Sequence, residues 1–191
     1  MAADAHDSPP RRRDAQDNRE RLVAAAREVF AESGFEVPLD AIARRAGVGR
    51  ATLYRNFPDR YALGSAIFEH NLAALEALAR AHARDPAAFT ALLSAIIEQQ
   101  IASHALVPAL LSGPTAPDLH ALRSRMIRLL AGPLRRAQAA GAIRPDLVSA
   151  DVLAVIAMIS AAVLHAPSVA ARRRRAARAL QLMLDGLVPR T

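Results

Sequence analysis

Cysteine is absent from all 191 residues, which excludes a disulfide framework, a thiol nucleophile and a cysteine-based zinc site together. Lysine is absent as well: all 25 basic residues are arginine, and in so alanine-rich a chain this reflects GC-rich coding, so the arginine count alone carries no function. Tryptophan is missing, and beyond Tyr61 the only aromatic rings apart from histidine are Phe68 and Phe89, too few for a cation-binding cage. Long apolar runs are scarce. The longest, Val152 to Leu164, spans 13 residues where a bilayer crossing needs about 20, so it reads as a buried helix and no membrane partner is expected. The opening segment is rich in Asp, Pro and Arg with no apolar centre, so no signal peptide is expected and the chain is placed in the cytoplasm. His104, His120 and His165 stand apart with no partner at helical spacing, Ser94 and Ser103 lack a strand-to-helix elbow, and no glycine-rich loop offers to cradle a phosphate. No catalytic residue, metal or cofactor is expected, and the chain is read as not an enzyme.

The most informative stretch present is Leu39 to Arg60. Leu39, Ile42, Ala43 and Ala46 recur at helical intervals, Gly47 supplies a permissive backbone where the chain reverses, and Val48, Leu53 and Phe57 return apolar contacts from a second short helix. This is the pattern of a helix-turn-helix. The second helix is left with Arg50, Ala51, Thr52, Tyr54, Arg55 and Asn56 outside, a set of donors, methyls and one ring that suits a major groove and its phosphates. From Ala41 to Arg60, Arg44, Arg45, Arg50, Arg55 and Arg60 face one acid, Asp59, so a DNA footprint lies where a duplex needs it. The expected DNA contacts are therefore Arg44, Arg45, Arg50, Ala51, Thr52, Tyr54, Arg55, Asn56 and Arg60, with Arg50 and Thr52 on bases and Tyr54, Asn56 and Arg60 on phosphates. The competing reading is an ordinary helical corner with solvated arginines.

These residues carry a resemblance. The run Arg21-Leu22-Val23-Ala24-Ala25-Ala26-Arg27-Glu28-Val29-Phe30, then Gly34-Phe35, Ile42-Ala43, Ala46-Gly47-Val48, Thr52-Leu53-Tyr54, Phe57 and Leu63, resembles the tetracycline-repressor (TetR) family of bacterial transcription regulators over roughly residues 18 to 68. Two positions depart from the family pattern: Gly49 stands where a capping serine or threonine is usual, and Arg60 where a lysine is usual. The segment from Gly34 to Ile42 is also about one residue shorter. The resemblance implies a repressor that binds a palindromic double-stranded operator as a homodimer, joined by the last two helices of each chain. It further implies that a small-molecule effector, bound between helices of the larger half, moves the long fourth helix and releases the DNA.

The rest of the chain reads as all-α, an N-terminal three-helix DNA-binding domain followed by a larger helical effector-binding and dimerisation domain. Residues 1–17 read as a mobile tail, 18–62 as the helix-turn-helix domain and 63–191 as the larger one. Helices are expected over Asn18–Ser33, the two motif helices, Pro58–Arg84, Pro86–His104, Leu106–Leu111, Asp118–Ala140, Leu147–His165 and Ser168–Leu187, with Pro114, Pro117, Pro145 and Pro167 at breaks. The penultimate helix is apolar all round, so Val155, Ile159 and Val163, with the stripe Leu180, Met183, Leu184 and Leu187, are expected at a dimer seam. Arg172 to Arg175 read as a solvated helix start whose stems cover apolar surface near that seam. Phe68, Leu72, Phe89, Gln99, Gln100, His104, Met126, Met158 and His165 are the candidate effector-pocket residues, with Arg125 and Arg128 as further polar handles. After Pro86 acids fall only at Glu98, Asp118, Asp146, Asp151 and Asp185 among more numerous arginines, which favours a neutral or anionic hydrophobic effector. The alternative of a different class is an effector-independent DNA-binding adaptor or nucleoid-type protein.

Overall fold

The computed structural model describes residues 10–85, 87–104, 106–113 and 118–187, the side chains of 10–13, 119 and 187 excepted. Pro86, Pro114 and Pro117, and residues 1–9 of the expected tail, lie outside them. The described residues form helices α1 (Pro10–Ser33), α2 (Leu39–Ala46), α3 (Arg50–Asn56), α4 (Arg60–Ala81), α5 (Ala88–Ala102), α6 (Leu106–Leu111), α7 (Leu119–Ala139), α8 (Ser149–Leu164) and α9 (Val169–Leu187), with no strand among them. The all-α expectation holds. The chain divides into a unit ending at Ile67 and a second starting at Phe68, five residues after the boundary expected at 62.

Helix α1 begins earlier than expected. Residues 10–17 are helix, not tail: Pro10 occupies the first turn, where a missing N–H costs nothing, and Gln16 donates to Glu20 across one turn at 2.7 Å. Leu22, Ala26, Val29 and Phe30 form the inward stripe of α1, all 5% exposed or less. Helix α1 packs on α2 and α3, where Ile42, Leu53 and Phe57 are buried as well, so two short helices share one core with a long one. Phe30, Phe35 and Tyr61 stack in sequence at 5.0 and 5.6 Å between ring centroids.

The reversal after α2 is a left-handed glycine. Gly47 sits at φ 64°, its N–H bonds the carbonyl of Arg44 at 3.1 Å, and that of Val48 bonds the carbonyl of Ala43 at 3.1 Å, the Schellman pattern. Arg21 of α1 closes the same turn, its Nη2 donating to the carbonyls of Ala46 at 2.6 Å and Gly47 at 3.2 Å. Helix α4 starts at Arg60 rather than Pro58, because Asp59 Oδ1 accepts from the N–H of Ala62 at 2.8 Å and caps it.

The second unit is built on α5, α7, α8 and α9. Phe89, Leu92, Leu93 and Leu130 are fully buried, with Val152, Ile159, Val163 and Ala176 at 1% exposed. Helix α7 is capped by the Asp118 carboxylate, which accepts from the N–H groups of His120 and Ala121, and it continues through Pro133 to Ala139. The faces of α8 correct the expected dimer seam. Val155, Ile159 and Val163 point into their own core at 8, 1 and 1% exposed, because a helix apolar all round gives its bulkiest branched stripe to the nearest neighbours. Leu180, Met183 and Leu184 of α9 also pack, partly buried, against that core. The side chain of Leu187 lies outside the described residues.

Replacing Gly47 by alanine forces a side chain into left-handed backbone and brings its Cβ to 2.8 Å from the Arg21 guanidinium. The backbone term alone costs about 1 to 2 kcal/mol. Gly47→Ala is expected to lower the unfolding free energy by at least that much, read as a lower denaturant midpoint, and Gly49→Ala, whose Cβ meets nothing within 4 Å, much less. Circular dichroism in urea measures both.

Candidate nucleic-acid interface

Leu53 at 0% and Phe57 at 1% exposed anchor the inner side of α3 and so decide what it shows outside. Arg50, Ala51, Tyr54 and Arg55 are exposed and Thr52 and Asn56 half-buried, so the sequence-predicted outer face is the observed one. Its side chains are preorganised. The Arg50 guanidinium lies 5.7 Å from the centroid of the Tyr54 ring, and its Nε stands 3.3 Å from Asp40 Oδ1. Arg55 Nη2 donates to Thr52 Oγ1 at 3.1 Å, while Asn56 Nδ2 donates to the Thr52 carbonyl at 2.8 Å and closes the end of the helix. Gly49, at the head of α3, offers no side-chain cap, so the first N–H groups of α3 keep no side-chain acceptor from that position.

Three other arginines of the expected contact set differ in placement. Arg44 is exposed and forms no ion pair among the described residues. Arg45 instead turns to α1, pairing with Glu28 at 2.8 Å and Glu32 at 3.0 Å, and these carboxylates hold its charge more firmly than an ordinary guanidinium's. Arg60 reaches back to Glu36 at 2.6 Å and to the Phe35 carbonyl at 3.1 Å, so it fastens the start of α4 to the α1–α2 connection. Neighbourhood in sequence put both in the contact set; acids on α1 and beside Phe35, nearer in space, take up their donors. Two arginines escaped sequence reasoning. Arg21 holds the turn, and Arg19 stacks its guanidinium 4.5 Å over the Phe57 ring. Both partners lie far along the chain, and no local spacing announces them.

In the second unit, a cavity of about 70 Å³ is lined by Phe68, Leu72, Gln99, Gln100 and Met126 from the expected pocket set. Asn71, which sequence reasoning passed over, lines it as well. The other expected members lie elsewhere. Phe89 is fully buried in the core, Met158 is 55% exposed on α8, and His165 is exposed at the end of α8. His104 belongs to a separate groove of about 330 Å³ alongside α8. Arg125 grips α4 instead of the cavity, with Nε 2.6 Å from Glu76 and Nη1 2.7 Å from Glu69, which holds the Glu76 carboxyl below its ordinary value. Arg128 lines a third, open groove with Glu76 and Arg136. The arginine run is also corrected: Arg172 is only 8% exposed and donates toward His104 Nε2 at 2.7 Å, whereas Arg173, Arg174 and Arg175 remain exposed.

Two compact helical units, one carrying a helix-turn-helix with a polar outer helix, define a DNA-binding regulator class. Residues 22–67 match the family described as "Bacterial regulatory proteins, tetR family", and residues 85–189 match "Transcriptional regulator SbtR-like, C-terminal domain". The solved TetR regulatory protein from Mycobacterium vanbaalenii is 31% identical, covers 94% of this chain and 100% of its own, and superposes with a TM-score of 0.70. The TetR regulator SCO0520 from Streptomyces coelicolor is 36% identical over 91% of this chain and 99% of its own, with a TM-score of 0.69. The HTH-type transcriptional regulator SAUSA300_2515 of Staphylococcus aureus (strain USA300) is 37% identical over 62 residues, 32% of this chain and 34% of that protein. The match thus spans about a third of that relative's length. The chain belongs to the TetR family of bacterial transcription regulators.

Burial, then the Arg172 charge, pushes the His104 imidazole below its ordinary value of 6.5. The fold therefore prefers neutral His104 while the unfolded chain protonates it, so the fold is favoured above the unfolded value and loses stability as pH falls from there toward the lower folded one. Glu76 and Asp146, held low by Arg125 and Arg144, weaken the fold only at lower pH still. The thermal midpoint is expected to drop between about pH 7 and pH 5.5, and to drop less in His104→Gln, whose amide oxygen still accepts from Arg172. Equal slopes in scanning calorimetry contradict this.

Proposed function

We propose that this chain is a homodimeric repressor that reads a palindromic operator with α3 and leaves it when a small molecule binds the second unit. The observation that carries the reading is the outer face of α3. Arg50 and Tyr54 stack on each other, Thr52 and Arg55 are hydrogen-bonded, and Leu53 and Phe57 clamp the inner side, so little side-chain freedom remains to be lost on binding. Arg50 and Thr52 face bases in this reading; Arg44, Ala51, Tyr54, Arg55 and Asn56 contact the backbone and flanking bases. Freeing Arg50 from its exposed pair with Asp40 costs under about 1 kcal/mol, whereas a guanidinium on a guanine edge discriminates by about 1 to 3 kcal/mol, so the groove wins. Arg45 and Arg60 support the head from behind. A protein with this partner works in the bacterial cytoplasm.

Dimerisation uses the opposite side of α8 from the one expected. Ala154, Ala157, Met158, Ala161 and Ala162 are exposed along it, joined by Leu182 of α9 at 55%. Small residues in a row let two copies of α8 approach closely about a two-fold axis, and one axis then serves both the dimer and the palindrome. Control passes along α4, one helix from Arg60 to Ala81 that carries Leu72 and Leu75 at its cavity end. To shift DNA occupancy a hundredfold, the effector needs about 2.7 kcal/mol of differential affinity for one dimer arrangement. The small size of the cavity beside Leu72 favours the second reading, an effector-independent DNA-binding adaptor, since ordinary ligand sites enclose about 300 to 1,000 Å³, whereas the groove of about 330 Å³ at His104 falls within that range and favours the first. Ligand titration on the operator complex separates the two.

Arg50→Ala is expected to lose about 1 to 3 kcal/mol on the selected operator and far less on random duplex, measured by anisotropy titration. If Arg50→Ala leaves base preference intact while Tyr54→Phe abolishes it, the roles are reversed. Ala161→Glu is expected to give a folded monomer by sedimentation, and Ile159→Glu to unfold, since its carboxylate enters the core. A monodisperse monomer for the unaltered chain at micromolar concentration contradicts the dimer.

A further inference from the structure

Three positions of α4 in the second unit are buried, and one of them is polar. Leu72 and Leu75 are 2 and 4% exposed, and Asn71 beside them is 7% exposed. The Asn71 backbone carbonyl accepts a hydrogen bond from Gln99 Nε2 at 3.0 Å, but its side-chain Oδ1 has no partner. An unmade hydrogen bond at a buried acceptor is a standing penalty, which leucine at this helix position avoids. The cavity beside it is walled by Phe68, Leu72, Leu75, Ile96, Leu106 and Met126; Gln99, Gln100 and Ser103 also line it but are half-buried, so Asn71 is its one buried polar side chain, and among the described residues no Asp, Glu, Arg or His belongs to the lining. A charged group brought in is stripped of water and meets no countercharge. An apolar body is matched by the walls, and one donor by Asn71.

We propose that Asn71 is the recognition residue of this cavity, and that the ligand is a small, uncharged, mainly apolar molecule that donates one hydrogen bond through a hydroxyl or an N–H. The assignment rests on the effector reading for its regulatory consequence, while binding itself is separable from DNA release. It narrows the expectation of a neutral or anionic effector to a neutral one, because none of the arginines that favoured an anion belongs to the lining of this cavity.

The probes are phenol, toluene, which replaces the hydroxyl by a methyl of similar size, and benzoate, each titrated by NMR into the full-length chain at neutral pH. Phenol is expected to bind about tenfold tighter than toluene, the worth of one hydrogen bond, and benzoate more weakly than either. Asn71→Leu is expected to bring phenol and toluene within about twofold of each other and to raise the thermal midpoint. Met126→Trp, which fills the cavity from its wall, is expected to remove binding of both and serves equally if Asn71→Leu fails to fold. Equal affinity for phenol and toluene, benzoate binding as tight as phenol, no binding of any probe, an unchanged preference in folded Asn71→Leu, or phenol binding that survives in Met126→Trp each overturns the assignment. Phenol binding that depends on Asn71 but leaves operator affinity unchanged upholds it and contradicts the effector reading instead.

Discussion

A recognition helix can enter a groove only if it leaves its predecessor at a fixed angle, and here that angle is held by Gly47 and Arg21. The left-handed backbone at φ 64° lets two N–H groups turn back onto α2, and the Arg21 guanidinium takes up the carbonyls of Ala46 and Gly47 that the turn leaves exposed. A cation at the carboxyl end of α2 also suits the negative end of its dipole. Because Arg21 belongs to α1, the long helix, the turn and α3 are tied into one body, and Leu53 and Phe57 have a fixed surface to pack on. The outer face of α3 follows from that packing. Seven residues of helix with one anchor inside and another directly after it leave no choice about which side chains point out.

The absence of lysine gives the arginines a division of labour. Arg21, Arg45 and Arg60 serve the head internally, through carbonyls and through Glu28, Glu32 and Glu36. Arg125 binds α7 to α4 through Glu69 and Glu76, and Arg172 is buried against His104. Planar guanidinium groups do this work well, since they bond two acceptors at fixed angles and stay charged. Arg44, Arg50 and Arg55 remain on the outside of α2 and α3. Local charge balance is thus a poor guide to which arginines are free: Arg45 is held by two carboxylates and Arg60 by a carboxylate and a carbonyl, whereas Arg50 has a single exposed pair with Asp40.

The head was legible because its signals are local: helical spacing of Leu39, Ile42 and Ala46, a glycine at the reversal, and Leu53 and Phe57 one turn apart. What depended on distant partners was not. Arg21 and Arg19 find theirs 25 or more residues away, and Arg45 and Arg60 were claimed by acids outside the motif. The uniformly apolar α8 shows the opposite failure, since a helix with no polar face carries no sign of which side is inward, and Val155, Ile159 and Val163 proved to be core. Asn71 escaped notice because an asparagine within a long helix reads as a surface residue until the burial around it is known. The start of α1 at Pro10 was missed because a charged, proline-bearing segment was weighed for composition rather than for its first-turn proline and its Gln16–Glu20 contact.

Two copies of α3 on one duplex require a symmetric site. Sequencing the DNA that the purified chain retains from a random duplex library tests it most directly. The expected result is enrichment of an inverted repeat whose half-site centres lie about one helical turn or slightly more apart. Retention of DNA with no enriched sequence, or of a single unrepeated element, contradicts it.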